Sequence, residues 1–259
     1  MGVTSIISYN VNGIRAAAKK GLIDWLKKED PDVFLIQETK AQPDQLDESL
    51  IKPEGYHAYY YSAEKKGYSG VSIFSKKEPI HVEYGCGLPK YDAEGRVIRA
   101  DYEGYSIISV YFPSGTRGGD RQIYKEDFLK DFLVYLQDLR KSYPNLVISG
   151  DYNICHKSID IHDPVRNKNT SGFLLHEREW VTEMIGNGYV DTFRKFHEDE
   201  PDRYSWWSYR AGARGKNKGW RIDYQMVTVE LADKCVDADI LDQVVHSDHC
   251  PTKLVMDFG

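Results

Sequence analysis

The sequence predicts an α/β fold in which two β-sheets pack face to face and helices cover their outer surfaces. Three observations carry that reading. Short apolar runs bounded by turn residues recur along the whole chain, longer stretches with helical periodicity are interspersed, and the two kinds do not alternate as regularly as a parallel barrel requires. A length of 259 residues suits one layered domain, 1–259. No linker, low-complexity tract or internal repeat divides it.

The elements follow in order. "SIISYN" (5–10) is the first predicted strand, and "KKGLIDWLKKE" (19–29) the first predicted helix. "DVFLIQ" (32–37), "AYYYS" (58–62), "GVSIFS" (70–75), "VIRADY" (97–102) and "YSIISVYF" (105–112) are apolar, mostly β-branched or aromatic runs of strand length. The long periodic stretch "KEDFLKDFLVYLQDLRKSY" (125–143) predicts a helix, "LVISG" (146–150) a strand, and "FLLHEREWVTEMIGN" (173–187) another helix. "IDYQMVT" (222–228) and "TKLVMDF" (252–258) complete the strands.

Composition is that of an ordinary globular protein, 41% hydrophobic and 29% charged, with 19 tyrosines raising the aromatic share to 13%. Cys86, Cys155, Cys235 and Cys250 are widely spaced and form no CxxC pair, so neither a zinc ribbon nor a dense disulfide framework is expected. The N-terminal segment shows no export signal, and no apolar run approaches membrane-spanning length. A reduced, cytoplasmic protein is the expectation, and the sequon at Asn169 then carries no glycan. The formal net charge of −6 argues against a general polyanion binder. Locally the sign reverses, because residues 203–221, "RYSWWSYRAGARGKNKGWR", hold six Lys or Arg and no acid.

Strand-like runs end in polar residues that a turn does not require: Asn10 and Asn12, Glu38, Tyr111, Asp151 and Asn153, Asp223, and Asp248 with His249. Any one of them is explained by turn or cap preferences. Together they describe one chemistry if the strand ends converge on a single edge. Carboxylates and amide oxygens without thiolates suit a hard divalent ion, Mg²⁺ or Mn²⁺. One histidine among them supplies a proton-transfer group. That is the equipment of metal-assisted phosphoester hydrolysis. His249 is the candidate base or water-orienting group, with Asp223 on its other ring nitrogen, and Asp248 would serve the metal. His246 receives no role. "HKSIDIH" (156–162) has neither cysteine nor a matching carboxylate cluster and reads as a solvated loop.

"SYNVNGIRAA", "LIQETK", "KKGYSGVSIFSK", "EGRVIRADY", "VYFPSG", "GDYNICH", "SGF", "YVDTFR", "YSWWSYR", "GWRIDY" and "SDHCP" occur in the order seen in the exonuclease III family of abasic-site DNA endonucleases, which this chain resembles over nearly its whole length. The resemblance implies a four-layered α/β sandwich, two mixed sheets flanked by helices. It implies hydrolysis of the phosphodiester 5′ to an abasic site in double-stranded DNA, with 3′–5′ exonuclease or 3′-end-cleaning activity on blocked ends, by a monomer.

Glu38 then resembles the principal Mg²⁺ ligand, with Asn10, Asp248, Asp151 and Asn153 close to the ion; Mn²⁺ is a possible substitute. Tyr111 resembles a phosphate-contacting tyrosine. Asp151 is either the group that activates water or the acid that protonates the leaving 3′ oxygen. Trp206 and Trp220 fall where the family forms a pocket for the extrahelical sugar, whose flipping needs little unstacking. Lys65, Lys66, Arg96, Arg210, Arg214, Lys216 and Lys218 are expected at phosphates.

Two positions depart from many relatives: Ser114 stands where an Asn is common, and Tyr9 where Trp is common. The rivals are a small-molecule or lipid phosphoesterase sharing the same catalytic core, and a non-catalytic DNA-binding or scaffold protein. The basic aromatic segment disfavours the first, and the complete set of catalytic groups disfavours the second.

Overall fold

A computed structural model describes residues 2–259. Its strands are β1 (Val3–Asn10), β2 (Val33–Gln37), β3 (His57–Tyr61), β4 (Val71–Ser75), β5 (His81–Tyr84), β6 (Val97–Tyr102), β7 (Tyr105–Tyr111), β8 (Leu146–Asp151), β9 (Tyr189–Asp191), β10 (Asp223–Thr228), β11 (Cys235–Ile240) and β12 (Thr252–Asp257). They form two six-stranded sheets, ordered β11-β12-β1-β2-β4-β3 and β5-β6-β7-β8-β10-β9. The helices are α1 (Ile14–Lys19), α2 (Leu22–Glu29), α3 (Glu48–Ile51), α4 (Pro89–Asp92), α5 (Asp120–Leu139), α6 (Pro164–Asn167), α7 (Leu175–Gly186) and α8 (Thr192–Phe196).

Three apolar clusters explain the layering. Ile6, Leu35, Ile73, Ile107, Val147, Val227 and Leu254 fill the space between the sheets. Ile7, Tyr9, Phe34, Ile36 and Phe74 point to the other face of the first sheet and meet Leu22 and Leu26 of α2. Ile108, Val110 and Phe112 do the same for the second sheet, against Phe128 and Phe132 of α5 and Trp180 of α7. Neighbouring strand residues face opposite sides, so a sheet covered on both faces needs an unbroken apolar run. "DVFLIQ" and "LVISG" have that character.

Each sheet holds one parallel pair, β1 with β2 and β7 with β8, whose other neighbours run antiparallel. This topology places the polar strand ends together. Asn10 is in register with Gln37, and Tyr111 with Asp151, at the C-terminal ends of the parallel pairs. β10 runs the other way, so its first residue, Asp223, lies opposite Asp151. β12 also runs the other way, with Thr252 opposite Ser8, and the segment leading into it delivers His249 to the same edge.

Four expectations need correction. The helix expected over 19–29 is two helices, because Gly21 at φ +94° breaks it. The helix expected over 125–143 spans 120–139, entered from Gly118 and Gly119. β5, β9 and β11 are not apparent in the sequence. β5 is a mostly exposed edge strand, β9 has three residues, and the acid-bearing β11 contains a bulge, so none shows a clean apolar pattern.

The fourth correction is that "HKSIDIH" is an anchor and not a solvated loop. Asp160 is fully buried and bonded to Arg221 Nε at 2.7 Å and Arg194 Nη2 at 2.6 Å, while Arg221 Nη2 reaches Asp191 at 2.7 Å. Burial pushes the Asp160 carboxyl up, but Arg221 and then Arg194 outweigh it and hold it well below the usual range. Asp160→Ala leaves Arg221 buried with one partner fewer, and a loss of about 3–5 kcal/mol in urea unfolding is expected. A depressed folded-state value means that this contribution is complete above the unfolded value, about 3.9, and declines as pH falls through the folded value. The variant's deficit is therefore expected to stay constant from pH 7 to 5 and shrink only below about pH 4.

Candidate active site

Gly150 is where the second sheet delivers its central acid. A side chain there would place its first carbon 1.8 Å from the Val110 carbonyl oxygen, so only glycine allows β7 and β8 this approach. The next residue, Asp151, accepts from Asn10 Nδ2 of the first sheet at 2.8 Å. The same Asn10 amide donates to Glu38 Oε1 at 2.9 Å, joining the two sheets' carboxylates through one side chain. Glu38 holds a left-handed backbone at φ +55° and Asn153 one at +53°. Such a conformation in a glutamate persists only where the surroundings enforce it. Here Gly13 N–H donates to the Glu38 carbonyl at 2.8 Å and Lys40 Nζ to its carboxylate at 2.6 Å.

His249 is buried, with Nδ1 2.9 Å from Asp223 Oδ2 and Nε2 3.9 Å from Asp151 Oδ2. Ser205 Oγ donates to that same Asp223 oxygen at 2.6 Å and accepts from the Asp223 amide at 3.1 Å. Asp223 thereby fixes the ring, leaving Nε2 directed to Asp151. Burial opposes charge on His249, but Asp223, then Asp151 and Asp248, outweigh it and raise its pKa to about 10. Asp151 is also raised, by burial first, then by Asp223 and Glu38. Asp151 and His249, both with raised pKa values, thus face one another across 3.9 Å, an arrangement suited to proton transfer.

Glu38 and Asp151 each present a carboxylate oxygen, and His249 a ring nitrogen, within 4.8 Å of one another, a group that could hold a metal ion. Burial raises the Glu38 carboxyl, yet Lys40 and Asn10 lower it below the ordinary value, leaving it ionised for that purpose. Asp248 lines the same space, but its oxygens accept from Asn12 Nδ2 at 2.9 Å and Trp206 Nε1 at 3.1 Å. Asn153 donates its backbone N–H to Asp151 Oδ1 at 2.8 Å and its amide to the Phe112 carbonyl at 3.0 Å.

A cavity of about 310 Å³ opens on these groups, lined by Glu38, Tyr111, Asp151, Asn153, Asp248 and His249. Trp206 and Trp220 form an apolar part of its wall, with ring centroids 5.9 Å apart and nearly perpendicular planes. Ser114 lines it as well, and its hydroxyl is 3.0 Å from that of Thr116.

The Endonuclease/Exonuclease/phosphatase family model matches residues 7–249, which include every candidate catalytic and metal position described above. The chain belongs to this family. Within it, the chain is 44% identical over 252 residues to an exodeoxyribonuclease of Bacillus subtilis (strain 168), covering 97% of this chain and 98% of that protein. It is 40% identical over 253 residues to the DNA repair nuclease APEX1 of Danio rerio, covering 97% and 81%. Among solved structures, an AP endonuclease from Archaeoglobus fulgidus is similar with a TM-score of 0.88 at 33% identity, covering 98% and 99%. The motif resemblance to the exonuclease III family is borne out.

Two residues expected at phosphates are corrected by the structure. Arg96 is 1% exposed, and it donates to Glu94 at 2.6 Å, to the Tyr111 carbonyl at 2.8 Å and to the Tyr68 hydroxyl at 3.0 Å. It fixes Tyr111, over whose ring it also lies at 4.9 Å. Arg214 donates to the carbonyls of Ser247, Asp242 and Val244 at 3.1, 2.8 and 2.6 Å, bracing the segment that carries His249. The heads of both are taken up by protein acceptors. Lys65, Lys66, Arg210, Lys216 and Lys218 are exposed.

Sequence reasoning misses Lys40 and Ser205, and leaves Asn12 open to a turn reading. Lys40 has a signal, two residues from Glu38 in "QETK". Ser205 has none, because its partner Asp223 is 18 residues away.

Proposed function

We propose that this family member is a Mg²⁺-dependent DNA repair endonuclease that hydrolyses the phosphodiester 5′ to abasic sites in duplex DNA, with accompanying 3′–5′ exonuclease and 3′-end-cleaning activity. The observation that carries the reading is the placement of the Trp206–Trp220 wall in the same cavity as Asp151, Glu38 and His249. A baseless sugar is small, partly apolar and already unstacked, and its phosphate would face the acid–histidine cluster. The names of the relatives support DNA over a lipid or small-molecule phosphoester.

Glu38 and Asp151, with the Asn10 amide, would hold the cation. When bound, it would offset charge on the phosphoryl oxygens and lower the pKa of water. His249 Nε2, held by Asp223, donates toward the phosphate or orients the attacking water. Asp151, whose pKa is raised by burial and then by Asp223 and Glu38, exchanges a proton with that water or with the leaving 3′ oxygen. The water oxygen bonds to phosphorus, the bond to the 3′ oxygen breaks, and that oxygen leaves with a proton. Tyr111 stays protonated, since burial and then Glu38 raise its pKa well above the usual value, and its hydroxyl donates toward the Glu38 carboxylate. A single chain carries the whole constellation, which supports a monomer, and the likeness to a bacterial exodeoxyribonuclease supports a cytoplasmic location.

The test is incubation of end-labelled duplex bearing one tetrahydrofuran abasic analogue with Mg²⁺ or EDTA, beside undamaged duplex. A Mg²⁺-dependent nick directly 5′ to the analogue is expected. No nick, with hydrolysis of a small phosphodiester, would move the substrate to the rival phosphoesterase reading. Neutralising Arg210, Lys216 and Lys218 together is expected to weaken duplex binding. It should also flatten the slope of log K against log salt by about 0.9 for each phosphate that is no longer neutralised. Titrations at several salt concentrations read this directly.

A further inference from the structure

Beneath the cavity lies a charge pair that the reaction does not touch. Lys125 of α5 and Glu177 of α7 are both fully buried, with Nζ 2.6 Å from Oε1. Their helices already pack through Phe128, Leu129, Trp180, Val181 and Met184, so the pair is not needed to join them. Replacing a buried ion pair by apolar residues of similar volume is often neutral or stabilising, so stability alone is a poor reason for this one.

Three of its remaining bonds reach residues that line the cavity, Asn153, Gly172 and Ser171. Lys125 Nζ donates to the carbonyl of Asn153 at 2.9 Å. Glu177 Oε2 accepts from the amides of Gly172 at 2.6 Å and Leu174 at 3.1 Å, and Oε1 accepts from Gln122 Nε2 at 3.2 Å and Ser171 Oγ at 3.5 Å. Gly172 is wedged between two cavity walls. A first side-chain carbon there would lie 2.9 Å from the Trp220 ring and 3.0 Å from the Asn153 carbonyl oxygen. The Gly172 carbonyl in turn accepts from Cys155 N–H at 2.7 Å.

We propose that the Lys125–Glu177 pair is a positioning device for the reaction, holding the Asn153 backbone and the 171–174 strip at fixed separation and thereby setting Asn153 relative to Asp151 and Trp220. Charge-assisted bonds are shorter and stronger than neutral ones. Asn153 gives both its N–H and its side-chain amide to Asp151, so a shift of its backbone moves two of the acid's donors together, while the Asn10 amide stays in place. The inference rests on the proposed reaction for its substrate, and the pair itself contacts no substrate.

The test is the neutral double variant Lys125→Met with Glu177→Gln, which keeps an oxygen for the Gly172 or Leu174 amide and removes the donor to Asn153. Incision of the tetrahydrofuran duplex is measured per folded molecule, well below the variant's Tm. A misplacement near 1 Å lowers rates by up to about 10²-fold, so kcat is expected to fall at least about tenfold, with KM within about threefold. Folded variant with kcat within about twofold of the wild type would overturn the proposal. If the double variant does not fold, the same split is read from Glu177→Gln alone against the same two outcomes. Wild-type enzyme is run on the duplex and on bis-p-nitrophenyl phosphate. Failure on the duplex alone overturns the abasic-site reading, while the pair is still judged from the variant's rate on the small ester.

Discussion

Exchange of Asp151 for Asn is expected to lower kcat for incision by about 10³-fold or more, while duplex binding stays within a few-fold. Proton transfer by a positioned group contributes about 10²–10⁴-fold, and electrostatic stabilisation of developing charge a similar factor. Asp151 belongs to both accounts, since it stands beside Glu38 at the expected cation and 3.9 Å from His249 Nε2. The substitution keeps the shape but adds an N–H₂ group that must face donors, because Asn10 and Asn153 both direct amide hydrogens to the Asp151 carboxylate. Single-turnover incision separates the chemical step from binding. An Asp151→Asn enzyme cutting within tenfold of wild type would remove Asp151 from the mechanism.

His249→Gln and Asp223→Asn provide the second large effect, and they are expected to be strongly non-additive. Asp223 acts through the ring, accepting from Nδ1 at 2.9 Å and leaving Nε2 for the cavity. Removing the histidine is expected to lower kcat by about 10²–10⁴-fold, and removing the aspartate by somewhat less. The double variant should resemble His249→Gln alone, as for groups that act as a unit. Multiplication of the two single effects would show that Asp223 has a separate role. Since the carboxylates raise the imidazole's pKa, Asp223→Asn should return it toward its ordinary value. ¹³C or ¹⁵N NMR of the labelled ring reads that shift without activity.

Much of this site is legible in the sequence because its residues end strands. Asn10, Glu38, Tyr111 and Asp151 each close or follow an apolar run, where a polar residue that a turn does not need stands out. Parallel pairing then aligns these ends without any further signal. The fold class is legible for the same reason, since sheets covered on both faces force continuous apolar runs. Elements that bury little are not: β5 has three exposed residues of four, and β9 is too short to show any period.

The Asp160–Arg221–Asp191 network has the look of surface in the sequence because its residues are charged and only tertiary pairing buries them. Arg96 and Arg214 mislead for the mirror reason. A basic residue in a functional motif looks like a phosphate ligand until its acceptors, here carbonyls, a carboxylate and a phenol, are located. Ser205 and the Lys125–Glu177 pair depend on contacts between distant segments that no local pattern encodes.

Incision of a tetrahydrofuran duplex in ¹⁸O-labelled water with Mg²⁺, followed by mass spectrometry of both fragments, tests the central claim most directly. Hydrolysis in this cavity predicts one ¹⁸O in the 5′-phosphate of the downstream fragment and an unlabelled 3′-hydroxyl upstream. Label in a 3′-phosphate, or a break without label, would contradict it.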